Sequence, residues 1–396
     1  MKKPMRTNKK IFRAQVLGLA LALALALLPD VLFTAPALAA PPIHSKYYCL
    51  VDGDTCQPII SKNADQLRPI ASTTKIMTGI LAVEYADMDE IATVSSYADH
   101  TAEFTIGLRA GQELPLGELM KATLIKSSND AAVVLAEHVA GDEALFAHMM
   151  SLKAFTIGAM RTHFRNASGL PLEDAYSTAY DLAIMGRYAL SKPLVAKLVA
   201  TPEAKFKHPA YREPLTIRNT NGLLSSYQGI TGIKTGTANE SGKCLVASAT
   251  RKNHNLIAVV LKSGDRTGDC ARLLNYGFSQ SKRIKVIDSH EVFKNAKINK
   301  AVQSYADIVP AQDLWLWVGE SPPDIQKKVR MNYLLKAPLP RHHKVGEMDI
   351  YVEGQYVQTI ELRTRENVPR ETFFVKKIMF DLFKQAKTGI NKLIKN

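Results

Sequence analysis

The chain is poor in cysteine and nearly devoid of tryptophan, with four of the first and two of the second in 396 residues. Cys49, Cys56, Cys244 and Cys270 make no C-x-x-C pair and none has histidine at metal-ligand spacing, which argues against a zinc site or a thioredoxin-type redox motif. No metal or cofactor is expected. Cys49 and Cys56 flank the turn-like Asp52-Gly53-Asp54-Thr55, so two readings stand for them: a disulfide across a hairpin, or small buried apolar residues. The apolar run from Val16 to Leu28 falls short of the roughly 20 residues a spanning helix needs. Repeats and low-complexity tracts are missing, and so is an acidic surplus: 51 Lys and Arg stand against 37 Asp and Glu, a net +14.

What the first 39 residues do contain is a leader pattern. Lys2, Lys3, Arg6, Lys9, Lys10 and Arg13 precede the apolar run, and Ala37-Leu38-Ala39-Ala40 follows it. That order is read as a secretory signal over 1–39, cut after Ala39. Its six cations against Asp30 leave the remainder at +9. A basic exported chain meets an anionic membrane or an acidic wall polymer on the outer face of the cytoplasmic membrane, and nucleic acid is not an expected partner. At the other end, 370–396 has helical periodicity. Val375, Ile378, Met379, Leu382, Phe383, Ala386, Ile390 and Leu393 share one face, and lysines dominate the other, for a net +5. This predicts an amphipathic helix lying on an anionic bilayer as a peripheral anchor.

Between these ends the periodicity changes once. Tyr47 to Ser61 reads as a hairpin, Thr73–Tyr85, Leu116–Lys126, Asp130–Ala140 and Tyr180–Ser191 as helices, and Leu245–Ala249 and Asn255–Leu261 as buried strands. Strands around a block of helices predict an α/β sandwich with a mainly antiparallel sheet over 43–283. Beyond it come Ile284–Ile287, Leu314–Val318, Gly346–Val352 and Gln355–Leu362, the last two joined by Glu353-Gly354. These alternating segments predict a small all-β domain over 284–366. Trp315 and Trp317, two residues apart on one strand face, are expected in its core.

Three short motifs carry the chemistry. Ser72-Thr73-Thr74-Lys75 opens a helix. A serine hydroxyl needs an adjacent base, three residues along a helix puts the lysine on the same face, and burial or nearby positive charge lowers a lysine pKa enough for it to serve. Ser127-Ser128-Asn129 sits at a break between two helices. Ser127 can relay a proton there, and Asn129 can bond a substrate amide, orient the lysine, or merely cap the next helix. Lys234-Thr235-Gly236 precedes a buried strand, which puts it on an edge strand where glycine allows close backbone approach. Lys234 and Thr235 there can bind a substrate carboxylate. Each motif is weak alone. In this order they form the signature shared by penicillin-binding proteins and class A β-lactamases.

With Arg68-Pro69-Ile70-Ala71 before Ser72, Asn129-Asp130-Ala131-Ala132, Asn166, Gly169-Leu170, Ser177-Thr178-Ala179-Tyr180-Asp181, Asn221-Gly222-Leu223-Leu224 and Leu273-Leu274-Asn275-Tyr276-Gly277-Phe278, the chain resembles the low-molecular-weight penicillin-binding proteins of the D-alanyl-D-alanine carboxypeptidase family. The resemblance is specific over 43–280 and looser beyond. It implies the penicillin-binding/β-lactamase-like transpeptidase fold, an antiparallel sheet with a helical subdomain. It implies peptidoglycan stem peptides as substrate and β-lactams as covalent inhibitors. By the same resemblance Ser72 is the nucleophile, Lys75 the base and Ser127 the proton donor to the leaving D-alanine. Asn129, Lys234, Thr235, Gly236, Thr237 and Arg266 become the substrate-binding set, with the Ser72 and Thr237 N–H groups as oxyanion hole. Two departures bear on substrate preference. Thr237-Ala238 stands where the family commonly has an aromatic or His and then Thr, and Asn166-Ala167-Ser168-Gly169 lacks a histidine found in many members.

A β-lactamase shares two of the motifs, but no E-x-x-L-N segment is present and Glu173 lacks that context. A D-alanyl endopeptidase uses the same machinery. A wall-binding scaffold with a vestigial site is the reading from outside enzymology, and the intact Ser72, Lys75, Ser127 and Lys234 oppose it.

Overall fold

The structure, a computed structural model, describes residues 40–319, 322–371 and 382–383. The leader of 1–39 lies outside them, as does the tail helix apart from Leu382 and Phe383, which are helical and exposed. Among the described residues no helix is long and apolar enough to cross a membrane.

Strands β1 (Tyr47–Asp52) and β2 (Pro58–Lys62) form the expected hairpin, with Asp52 at the turn. Asp52 Oδ1 accepts from the N–H groups of Asp54 and Thr55 and from the Thr55 hydroxyl. This is the local bonding that makes aspartate a turn residue. Two small hairpins follow, β3 (Ile91–Thr93) with β4 (Glu113–Pro115) and β5 (Glu203–Phe206) with β6 (Leu215–Arg218). Then β7 (Ile230–Ala238), β8 (Gly242–Arg251) and β9 (His254–Ser263) complete an antiparallel sheet of order β2-β1-β9-β8-β7. The motif strand β7 is therefore an edge, as its position before a buried strand predicted.

Alternation along these strands feeds two cores. Cys49, Val51, Val246, Ile257 and Val259 face a block that includes the helices Lys75–Tyr85, Asn129–Ala140 and Ala179–Leu190. Leu50, Leu245, Ala247, Leu256, Ala258 and Val260 face the helix Arg266–Gln280 through Cys270, Leu273 and Leu274. Full burial on both faces explains why the central strands read as continuous apolar runs. All four cysteines are buried free thiols. Of the two sequence readings, the buried apolar one describes Cys49 and Cys56, and burial pushes the Cys56 thiol up to about 12.

After the helix Arg266–Gln280 the chain is all β. Strands β10 (Lys282–Ile287), β11 (Lys294–Lys297), β12 (Tyr305–Pro310), β13 (Leu314–Val318), β14 (Ile325–Met331), β15 (Lys344–Val352) and β16 (Gln355–Thr364) build a pair, β10-β13, and a sheet of order β11-β12-β16-β15-β14. They enclose a third core that includes Leu314, Leu316, Val318, Met348, Ile350, Val352, Ile360 and Leu362. Here one expectation fails. The leucines of β13 take the core face, so both tryptophans point the other way, and Trp315 is 43% exposed. Trp317 stacks on His254 of β9, ring centroids 4.2 Å apart, and His254 meets Phe278 edge-on.

Candidate active site

The nucleophile turn is held in an unusual backbone shape. Ala71 has φ 47°, and a single 3-10 turn, Ala71–Thr74, leads into the helix Lys75–Tyr85. Two glycines from distant segments press on it. A Cβ at Gly236 would lie 2.7 Å from the Ile70 carbonyl oxygen and 3.2 Å from the Thr73 nitrogen. Gly169, with φ 80°, sits so close that a Cβ would overlap the Ala71 carbonyl. The glycine of K-T-G is thus required by packing of the edge strand against the nucleophile turn.

Lys75 is fully buried, and its Nζ lies 3.1 Å from Ser72 Oγ, 2.6 Å from Asn129 Oδ1 and 2.6 Å from the Ser168 carbonyl oxygen. Two of these partners can only accept. A neutral amine satisfies both with its two hydrogens and keeps its lone pair for the Ser72 hydroxyl. Burial first, and the charge of Lys234 second, bring the Lys75 pKa well below the usual lysine value, outweighing Asp130 and Glu143. These are the conditions under which lysine acts as a base near neutral pH.

Ser127 closes a π-helical turn, Ala122–Lys126, in a left-handed conformation, φ 71°. Its Oγ accepts from Lys234 Nζ at 2.8 Å. Lys234 is also buried, and its Nζ additionally donates to the Thr235 carbonyl at 3.2 Å. Burial, then the Arg266 guanidinium, lower its pKa to about 7. Arg266, in the first turn of its helix, donates from Nη1 to the Gly236 carbonyl at 2.9 Å and to Thr237 Oγ1 at 2.8 Å. All nine residues singled out in the sequence therefore fall in one neighbourhood of contacts linking the nucleophile turn, the 127–129 corner and β7.

Their contacts refine three expectations. Asn129 is buried, and besides Lys75 its Nδ2 bonds the carbonyls of Ala102 and Glu103. The side chain thus orients the lysine and ties down the 102–104 loop. Thr235 Oγ1 is paired with Thr220 Oγ1 at 2.6 Å, so its hydroxyl is one member of a pair. Thr237 is exposed and its hydroxyl is oriented by Arg266.

Sequence reasoning missed the Ser168 carbonyl, because a backbone acceptor leaves no residue-type signal. The segment around it is built by Asn166, whose Oδ1 accepts from the Gly169 N–H and whose Nδ2 donates to the Leu170 carbonyl. It missed Thr220, and it missed Glu143, which accepts from the Ala167 N–H and from the Tyr97 hydroxyl at the cleft edge. Asp130, the residue after Asn129, collects the N–H groups of Ile106, Gly107 and Leu108. The Asn-Asp pair at a helix start was the available clue for that loop.

The cleft beside Ser72 has a volume of about 1050 Å³, with Asn129 and Thr237 on its walls and Arg165, Lys243, Glu103 and Glu240 near its mouth. Among the described residues, one set with metal-ligand chemistry, Asp288, His290 and Asp313, comes together elsewhere. Lys285 Nζ already lies 3.2 Å from Asp288 and 2.9 Å from Asp313, so that place holds a cation of the protein itself.

A serine beside a buried lysine of lowered pKa, with a second serine on a second lysine and an edge strand alongside, is the arrangement of a serine hydrolase that works through an acyl-enzyme. The comparisons agree. The D-alanyl-D-alanine carboxypeptidase family profile matches residues 34–265, and the profile of the penicillin-binding protein 5 C-terminal domain matches residues 282–370. The chain is 29% identical over 350 residues to the D-alanyl-D-alanine carboxypeptidase DacF of Bacillus subtilis, covering 85% of this chain and 90% of that one. It is 27% identical to DacA of Escherichia coli over 368 residues, 86% and 89% of the two chains. Penicillin binding protein 6B from Escherichia coli superposes with TM-score 0.61 at 26% identity, over 83% of this chain and 98% of that one. Penicillin binding protein 5 from Haemophilus influenzae shares the fold, with TM-score 0.64 at 24% identity over 83% and 99%. The chain belongs to the D-alanyl-D-alanine carboxypeptidase family of serine hydrolases.

Proposed function

We propose that the chain removes the terminal D-alanine from peptidoglycan stem peptides ending in D-Ala-D-Ala, through an ester on Ser72, and that β-lactams acylate the same oxygen. The observation that carries this is the Lys75 environment, two acceptors and one hydroxyl around a buried amine. Lys75 takes the Ser72 proton as Oγ attacks the carbonyl of the penultimate D-alanine. The Ser72 and Thr237 N–H groups receive the oxyanion, a contribution of roughly 3 kcal/mol per donor. Ser127, polarised by Lys234, passes its proton to the leaving amine and takes the proton that Lys75 received from Ser72, so that D-alanine departs and Lys75 is neutral again. Water then attacks the ester, Lys75 again accepting a proton, and Ser72 is restored. Lys234 and Thr235 hold the terminal carboxylate, with Arg266 assisting through Thr237.

The residue patterns at the two ends support a working location outside the cytoplasmic membrane. Residues 1–39 direct export, 43–283 are the peptidase unit, 284–366 the β unit, and 370–396 an anchor on the outer face of an anionic membrane. Deleting 370–396 is expected to release the protein from membranes with activity intact. Unchanged sedimentation with membranes would make the tail a packing helix.

The direct test is D-alanine release from a soluble peptide ending in D-Ala-D-Ala, with Ser72→Ala alongside. Release by the unaltered chain alone supports the reading. No release from either, with penicillin still bound covalently at Ser72, would point to endopeptidase action on cross-linked peptides.

A further inference from the structure

The two tryptophans lie far from the serine in sequence, and the reaction does not use them. The outward face of β13 looks across at the edge of the peptidase sheet where β1 turns into β2 and β8 into β9. Trp317 closes one end of that gap by stacking on His254. Beside it a cleft of about 620 Å³ remains open, with Trp315 on one wall and Asp54, Arg187, Ser191 and Gln358 among its polar groups. Clefts between structural units are a preferred place for ligands.

The lining has a definite chemistry. Trp315 stays 43% exposed, with Arg283 and Lys285 of β10 each 5.3 Å from its ring centre and holding it in place. An exposed indole offers an apolar face and an N–H donor together, which suits an amphipathic partner. The polar groups keep unused valences. The Gln358 side chain makes no hydrogen bond among the described residues, and Arg187 uses Nη2 on the Tyr356 carbonyl. Asp54 Oδ1 accepts from Asn255. Beneath them Asp52 is 1% exposed, and its Oδ2 faces the Nε2 of His254 at 3.5 Å, the ring on which Trp317 stacks.

A lipid tail would require a continuous apolar lining, and a phosphate would find the lining cation Arg187 offset by Asp52 and Asp54. A pyranose fits both halves, since its C–H face stacks on an indole while its ring of hydroxyls needs donors and acceptors intermixed. We infer that this cleft binds the saccharide strand to which the stem peptides are attached, so that the β unit holds glycan while Ser72 works on the peptide. The inference rests on the reading that the substrate is wall peptide.

Because Trp315 and Trp317 are the only tryptophans, indole emission reports on this cleft alone. The full chain is titrated with peptide-free β-1,4-linked N-acetylglucosamine tetramer and with peptide-free glycan strands, following emission and heat. Saturable change is expected, with affinity lowered about tenfold, some 1.4 kcal/mol, by Trp315→Ala and also lowered by Gln358→Ala in the same lining. Release of D-alanine from a sugar-free peptide should be untouched by both substitutions, which shows that the variants are folded. The inference is overturned if no sugar alters the emission, if Trp315→Ala and Gln358→Ala both bind as the unaltered chain does, or if sugar-free peptide produces the same emission change. Sugar binding without any D-alanine release would uphold the cleft and sink the carboxypeptidase reading instead.

Discussion

Lys234 Nζ, itself fully buried, donates to Ser127 Oγ at 2.8 Å, so the charge on one strand residue bears directly on a serine 107 positions away. The pH consequence has two limbs. Lys75 must be neutral to take the Ser72 proton, so acylation rises with pH through its lowered pKa. Lys234 must be cationic to support Ser127, and its pKa is about 7, so acylation declines as pH rises past that value. Arginine stays charged throughout. The rate of penicillin acylation against pH should therefore lose its alkaline limb in Lys234→Arg, at a lower overall rate from the altered fit. An unchanged alkaline limb would assign it to another group.

Asn129 distinguishes positioning from binding. Its Oδ1 holds Lys75 at 2.6 Å and its Nδ2 holds the 102–104 loop. Asn129→Ala is expected to lower kcat by about a hundredfold, the low end for a displaced general base, with KM little altered. A rise in KM at constant kcat would restore it to the substrate-binding set as first expected.

Gly236 is where K-T-G meets the nucleophile turn, and the Ile70 oxygen stands 2.7 Å from any added Cβ. Backbone on backbone cannot rotate away, so Gly236→Ala should cost about 1–3 kcal/mol through overpacking and slow penicillin acylation together. A variant acylating at the native rate with native melting temperature would show that the strand has room to recede.

How far the sequence could be read follows the kind of signal each element leaves. Ser72, Lys75, Ser127 and Lys234 were legible because their chemistry demands particular side chains in a fixed order. The strands of the central sheet were legible because burial on both faces makes them uniformly apolar. The Ser168 carbonyl left no trace, since any residue supplies one. The helix Glu143–Thr156 escaped because exposed Leu145, Leu152 and Phe155 blur its apolar stripe. Trp315 was misplaced because a two-residue period says which residues share a face and nothing about which face is inside.

Asp269 ties the first described residues to the body of the fold. Its carboxylate accepts from the N–H groups of His44 and Ser45, from Ser263 Oγ at 2.6 Å and from Arg272 Nη2 at 2.5 Å. Burial pulls its pKa upward, but the hydrogen bonds from Ser263, His44 and Arg272 outweigh it and bring the value from 3.8 to about 2. A carboxylate depressed on folding contributes stability above its unfolded pKa and loses it as pH falls through the folded one. Melting temperature should therefore fall between pH 4 and pH 2 more steeply in the unaltered chain than in Asp269→Asn, which has no such charge to lose. At neutral pH the substitution should cost about 2 kcal/mol, the scale of charge-assisted hydrogen bonds removed from a buried acceptor. Penicillin acylation of Ser72 should persist, since Asp269 makes no contact with the cleft. Parallel acid melting curves for the two proteins would mean that other carboxylates carry the acid sensitivity and that Asp269 serves the fold by geometry alone.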